Sequence, residues 1–150
     1  ALARAGVELT MDSDSVSVAH KPLHAFEFDA TNCPDLFPAL ATLAAAAEGV
    51  SVIKGTHRLE HKESNRAEAI ATQFERLGID VDLSCEDVMK IRGGAIRGGV
   101  TVESYGDHRM AMTLAVAALI SDGCVTIHDA ECVAKSYPDF FETLEMLRDE

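Results

Sequence analysis

Two stretches of this chain carry one pattern at an interval of roughly seventy residues, so the fold must be built from a unit used twice. Arg4-Ala-Gly-Val-Glu-Leu9 returns as Arg76-Leu-Gly-Ile-Asp-Val81, and Asp14-Ser-Val16 returns as Glu86-Asp-Val88. Asp35, at the head of one apolar run, corresponds to Asp107 at the head of another. Ala47-Glu-Gly-Val-Ser-Val-Ile53 corresponds to Ser121-Asp-Gly-Cys-Val-Thr-Ile127, and Lys62 to Lys135. The markers keep their order, which gives a single partial domain of two copies, about 1–72 and about 73–150.

Each copy reads as a βαβαβ-type unit. Alternating runs at Val7–Met11, Val16–His20 and His24–Phe28 predict strands. Leu36–Ala47 and Arg109–Ile120 are apolar on every face, which predicts buried helices, with Gly49 and Gly123 as their stops. Val50–Ile53 and Cys124–Ile127 read as buried strands. Glu63–Leu77 is amphipathic, with Ile70, Phe74 and Leu77 on one face and Gly78 as its stop. Ser136-Tyr-Pro-Asp139 reads as the cap of a last helix. Helices that are apolar all round need sheets outside them. The expectation is therefore an α/β fold with helices inside rather than a doubly wound sheet.

Composition narrows the function classes. A formal net charge of −12 argues against nucleic acid as a partner, although 13 Lys and Arg can still gather locally around a small anion. Charges or glycines break every apolar run before membrane-spanning length. The four cysteines form no CxxC pair, which points to a reducing, cytoplasmic setting, and Cys33 reads as a small core filler. Ala1-Leu-Ala-Arg-Ala-Gly6 has no signal-peptide layout and reads as the end of a helix that began earlier.

Charged side chains gather where helices begin: Asp35, then Lys62-Glu-Ser-Asn-Arg66, then Asp107-His-Arg109, then Lys135-Ser136. Backbone N–H groups at helix starts favour anions, and Lys62, Arg66, Arg109 and Lys135 add cations suited to phosphate and carboxylate. Asp35, Glu63 and His108 could move protons there, while Asp107 reads as a cap rather than a catalyst. The plainer alternative makes the acids N-caps and the bases solvated surface residues. His57 and His61 have a metal-pair spacing but no convincing third ligand, so no metal site is assigned. Gly93-Gly94 and Gly98-Gly99 read as a loop or hairpin, and Met110 with Met112 as core filling.

These residues also carry a resemblance. Lys62-Glu-Ser-Asn-Arg66 resembles the Lys-Glu-Ser/Thr-Asp-Arg motif of the 5-enolpyruvylshikimate-3-phosphate synthase (EPSP synthase) family. Tyr105-Gly-Asp-His-Arg-Met-Ala-Met112 is similar to that family's Tyr-x-Asp-His-Arg-Met-Ala-Met. Cys132-Val-Ala-Lys-Ser-Tyr-Pro-Asp-Phe-Phe141 resembles its C-terminal Cys-x-x-Lys-Ser/Thr-Phe/Tyr-Pro-Asp-Phe/Tyr-Phe, and Pro34-Asp35 its catalytic Pro-Asp.

The resemblance implies a C-terminal fragment made of βαβαββ units, part of an inside-out α/β barrel domain of the enolpyruvyl transferase type. It implies transfer of the enolpyruvyl group of phosphoenolpyruvate to the 5-hydroxyl of shikimate 3-phosphate, with no metal or organic cofactor. In that scheme Asp35 is the base and Glu63 the acid, while His108 supports the proton network. Arg66, Arg109 and Lys135 hold phosphoenolpyruvate, and Lys62 approaches the shikimate ligand. The partner is the missing N-terminal portion of the same enzyme, without which the fragment is expected to be inactive and to self-associate. Asn65 stands where the motif usually has Asp, and Arg58 where some members have Asn. A noncatalytic anion-binding module and enolpyruvyl transfer to a UDP-sugar are the competing functions.

Overall fold

The computed structural model describes residues 1–19, 21–60 and 62–148; His20, at the expected end of the second strand, lies outside them. Eight strands and four α-helices follow in the order β1 (Leu9–Met11), β2 (Val16–Val18), β3 (Glu27–Asp29), α1 (Phe37–Ala45), β4 (Val50–Lys54), α2 (Arg66–Arg76), β5 (Asp80–Asp82), β6 (Val88–Arg92), β7 (Val100–Glu103), α3 (His108–Ala118), β8 (Val125–His128) and α4 (Phe140–Arg148). Short 3-10 turns at Leu2–Ala5, Pro34–Leu36, Thr56–Leu59 and Ala130–Lys135 link them.

A hairpin, a strand, a helix and a parallel strand occur in succession on either side of α2. β1 and β2 form the first hairpin, and β3 lies parallel to β4 across α1. β5 and β6 form the second hairpin, and β7 lies parallel to β8 across α3. The second hairpin then joins the first parallel pair. β6 runs antiparallel to β4 from Val50↔Arg92 to Lys54↔Val88, giving the order β3-β4-β6-β5.

The apolar helices lie inside, as their all-round apolar sequences predict. α1 has only Ala39 exposed along its length. It packs on β4 and β6 on one side and on α3 on the other. Ala41, Ala44 and Ala45 are fully buried, and small side chains of this kind allow close helix approach. The Thr42 hydroxyl donates to the Thr113 carbonyl at 3.2 Å, which satisfies two polar groups inside that contact. Met110 fills the same core.

Burial on every face holds for α1 but fails at the outer end of α3, where Val116, Leu119 and Ile120 are exposed. α1 has a hairpin strand beside its parallel pair, whereas β7 and β8 pair only with each other among the described residues. The mirror deficit is at β1 and β2. The register Leu9↔Val18 and Met11↔Val16 places four apolar side chains on one face, and all four are exposed.

Some boundaries differ from the sequence expectation for identifiable reasons. The third strand is Glu27–Asp29 because His24 pairs only through an isolated bridge to Glu48. α2 starts at Arg66, three residues late, since Asn65 is non-helical and makes no capping bond. Ser136 closes the 3-10 turn before α4 instead of capping that helix. Gly78 does end α2: Gly78 N–H bonds to Glu75 O at 2.9 Å and Ile79 N–H to Phe74 O at 2.8 Å, a Schellman closure with Gly78 at φ 81°.

The paired glycines are not equivalent. A Cβ on Gly93 would overlap the Ala47 carbonyl oxygen, where this turn crosses the C-terminal end of α1, while one on Gly94 would meet nothing within 4 Å. Gly93→Ala is therefore expected to destabilise the chain by about 2 kcal/mol or more, and Gly94→Ala by less than about 0.5 kcal/mol. Urea unfolding of the two variants checks this, and equal midpoints would refute the close-approach account.

Candidate active site

Residues at or just before the starts of α1, α2 and α3, and the turn before α4, meet at one place. Arg66, the first residue of α2, sends its guanidinium inward, where it is only 1% exposed. Its Nε donates to Asp107 Oδ2 at 2.7 Å and its Nη2 to Asp107 Oδ1 at 3.3 Å. Nη1 donates to Asp35 Oδ1 at 2.9 Å, and Nη2 to Glu63 Oε2 at 2.7 Å. One planar fork thus ties three carboxylates from separate stretches of the chain.

Asp107 is 0% exposed and also accepts from the Arg109 N–H at 2.9 Å, which caps α3, and from the Ser64 hydroxyl at 3.2 Å. Three further cations surround the two outer acids. Lys62 Nζ lies 3.3 Å from Asp35 Oδ1, and Arg109 Nη2 lies 3.4 Å from Asp35 Oδ2. Lys135 Nζ lies 3.1 Å from Glu63 Oε1. Lys62, Arg66, Arg109 and Lys135 therefore all contact Asp35 or Glu63, acids that are half and about one-third exposed.

Burial disfavours the Arg66 charge, but Asp107, Asp35 and Glu63 outweigh it and raise its pKa. Burial also pushes the Asp35 carboxyl up, yet Arg66, Arg109 and Lys62 bring it below its ordinary value. Glu63 is lowered from 4.5 to about 2 by its own backbone N–H and by Lys135, with Arg66 adding to the effect against burial. Both outer acids are thus held ionised.

Of the residues singled out in the sequence, Asp35, Lys62, Glu63, Arg66, Arg109 and Lys135 come together. His108 does not bond to them: its ring is buried, and Nδ1 has no hydrogen-bond partner among the described residues. Lys62 and Arg66 share Asp35 although Lys62 lies ahead of α2, so the contact owes nothing to a common helical face. Asn65, at the position where the motif usually has Asp, leaves its Oδ1 buried without a partner among the described residues. His57 Nδ1 lies 2.6 Å from Asp87 Oδ1, while His61 lies outside the described residues. Cys33 packs partly buried against the core.

Sequence reasoning missed the supports. Gln73 is fully buried in α2, seven residues beyond Arg66. Its Oε1 accepts from the Glu103 N–H at 2.9 Å, and its Nε2 pairs with Tyr105 Oη at 2.6 Å. This holds the turn before Asp107, in which Tyr105 has φ 57° and Gly106 φ 64°. Ser104, also fully buried, accepts from the Gly106 N–H at 3.2 Å. A polar residue inside an otherwise apolar helix face was the only available signal for Gln73.

The family model described as EPSP synthase (3-phosphoshikimate 1-carboxyvinyltransferase) matches residues 1–144. The 3-phosphoshikimate 1-carboxyvinyltransferases of Natronomonas pharaonis and Clostridium acetobutylicum are each 43% identical, over 93% and 91% of this chain. Each match takes in 32% of the relative, so the chain spans about a third of the length of these curated proteins. An EPSP synthase structure from Acinetobacter baumannii gives a TM-score of 0.86 at 31% identity, covering 97% of this chain and 37% of that one. The enolpyruvyl transferase NikO from Streptomyces tendae gives 0.76 at 30% identity, covering 97% and 33%.

Removing Asp107 leaves a buried guanidinium without its main partner, so Asp107→Ala is expected to cost about 3–5 kcal/mol. Lys135→Ala breaks a solvent-screened pair and is expected to cost less than about 1 kcal/mol. Urea unfolding followed by circular dichroism measures both, and similar losses would contradict the burial argument. Because the folded Glu63 value lies below its ordinary 4.5, its stabilisation is present above that pH and is lost as pH falls towards 2. The stability gap between the parent and Glu63→Gln should therefore narrow across that window, as pH-dependent unfolding would record.

Proposed function

We propose that this chain, which belongs to the EPSP synthase family, supplies one wall of a site that transfers the enolpyruvyl group of phosphoenolpyruvate to the 5-hydroxyl of shikimate 3-phosphate. The observation that carries the reading is the convergence of four cations, from three stretches of the chain, on the carboxylates of Asp35 and Glu63.

In the addition step the 5-hydroxyl oxygen bonds to C2 of phosphoenolpyruvate, and its proton passes to Asp35. The methylene carbon C3 receives a proton from Glu63, giving a tetrahedral adduct. A C3 proton then returns to Glu63 and the bond from C2 to the phosphate oxygen breaks, the proton held by Asp35 leaving with the phosphate, which gives the enol ether. Arg66, Arg109 and Lys135 balance the carboxylate and phosphate of the donor, and Lys62 faces the shikimate ligand. Preplaced cations favour the adduct because they need little reorganisation as charge shifts onto the leaving phosphate. Arg66 suits this role best, since Asp107 holds its Nε and shares Nη2, while Nη1 and Nη2 also reach the exposed acids. His108 lies at the same helix mouth but makes no hydrogen bond to these groups among the described residues, so no proton step is assigned to it.

The second wall belongs to further chain of the same protein, which also covers the β1–β2 face and the outer end of α3. Without it the isolated chain self-associates through those faces and lacks the closure that excludes water from such chemistry. The 150-residue chain is therefore expected to release no phosphate from the two substrates. A chimaera carrying it in place of the matched third of the Clostridium acetobutylicum relative should release phosphate, with Glu63→Gln lowering kcat by about a hundredfold or more. A folded but inactive chimaera, or one indifferent to Glu63→Gln, would defeat the proposal.

A further inference from the structure

Every cation of the site is engaged before any ligand arrives. The engagements are of two kinds. Arg66–Asp107 is buried on both sides and braced by Ser64 and the Arg109 N–H. The contacts of Lys62, Arg66 and Arg109 with Asp35, and of Arg66 and Lys135 with Glu63, involve acids open to solvent on one side. An entering oxyanion needs these same N–H groups, because an ammonium or guanidinium offers a fixed number of donors in a fixed geometry.

We propose that Asp35 and Glu63 are the internal anions of the ligand-free site, and that a phosphate- or carboxylate-bearing ligand enters by taking Lys135, Arg109 and the outer nitrogens of Arg66 from them. Glu63, stripped of its cations and set beside a new negative charge, then takes up a proton from solvent. The charged groups facing Glu63 are Lys135 from the turn before α4 and Arg66 at the start of α2, with Asp35 across the shared guanidinium. Its low starting value, about 2, means that the proton is absent until those contacts are broken. The exchange makes the acid a proton donor only when an anion is in place. It rests on reading the cluster as an oxyanion site, whichever phosphate ester that site serves.

Sulfate tests the exchange, because it stays divalent from neutral to mildly acidic pH and adds no titration of its own. NMR titration of the 150-residue chain should show sulfate binding that tightens on acidification. Glu63→Gln, which mimics the protonated acid, should bind about a thousandfold tighter than the parent at neutral pH, with a shallower pH dependence. Glu68→Gln removes the same charge from an exposed position outside the cluster and should bind like the parent. The Glu63 carboxyl midpoint, followed by carbon NMR, should rise when sulfate saturates the site. Equal affinity of the parent and Glu63→Gln, an unmoved midpoint, or no sulfate binding by either would overturn the proposal. If sulfate behaves as expected but phosphoenolpyruvate fails to compete with it, the exchange stands and the enolpyruvyl reading falls.

Discussion

The Arg66–Asp107 pair is the constraint on which the site depends. A guanidinium at 1% exposure beside a carboxylate at 0% is tolerable only if their hydrogen-bonding capacity is met. Asp107 meets it with Arg66, Ser64 and the Arg109 N–H; Arg66 meets it with Asp107, Asp35 and Glu63. Moving any one of these groups leaves another buried and unpaired. The mouths of α1, α2 and α3 are therefore fixed relative to one another by one charged contact as well as by the apolar core.

That contact works because the helices are inside. In a doubly wound sheet the helices would lie on opposite faces, and their N-termini would be separated by the strands. Here α1 packs directly on α3, and α2 touches both. Gln73 extends the same logic from Arg66's own helix, gripping the positive-φ turn that delivers Asp107. A cation, its anchor and the turn that places the anchor are thus all referred to α2.

The same architecture explains where two apolar faces stay exposed. The join between β4 and β6 shows how one unit covers the next: a hairpin adds to a parallel pair and closes over the inner helix. The chain carries that join once. It leaves an uncovered helix end at α3 and an unoccupied hairpin face at β1–β2, in keeping with relatives about three times its length.

By itself the sequence determined the α/β class, the buried character of α1 and the gathering of polar residues where helices begin. Repeated markers, apolar runs and polar clusters at helix starts are local signals that need no knowledge of packing. It misjudged α2's first residue, since Ser64, inside the expected helix, instead donates to the Asp107 carboxylate 43 positions away. It treated Asp107 as a cap, which it is, but could not see that the same carboxylate anchors Arg66. Only the tertiary structure decided that four cations would meet two acids rather than solvent, and that both acids would be held ionised. Those facts depend on distances between helices, and packing sets those distances.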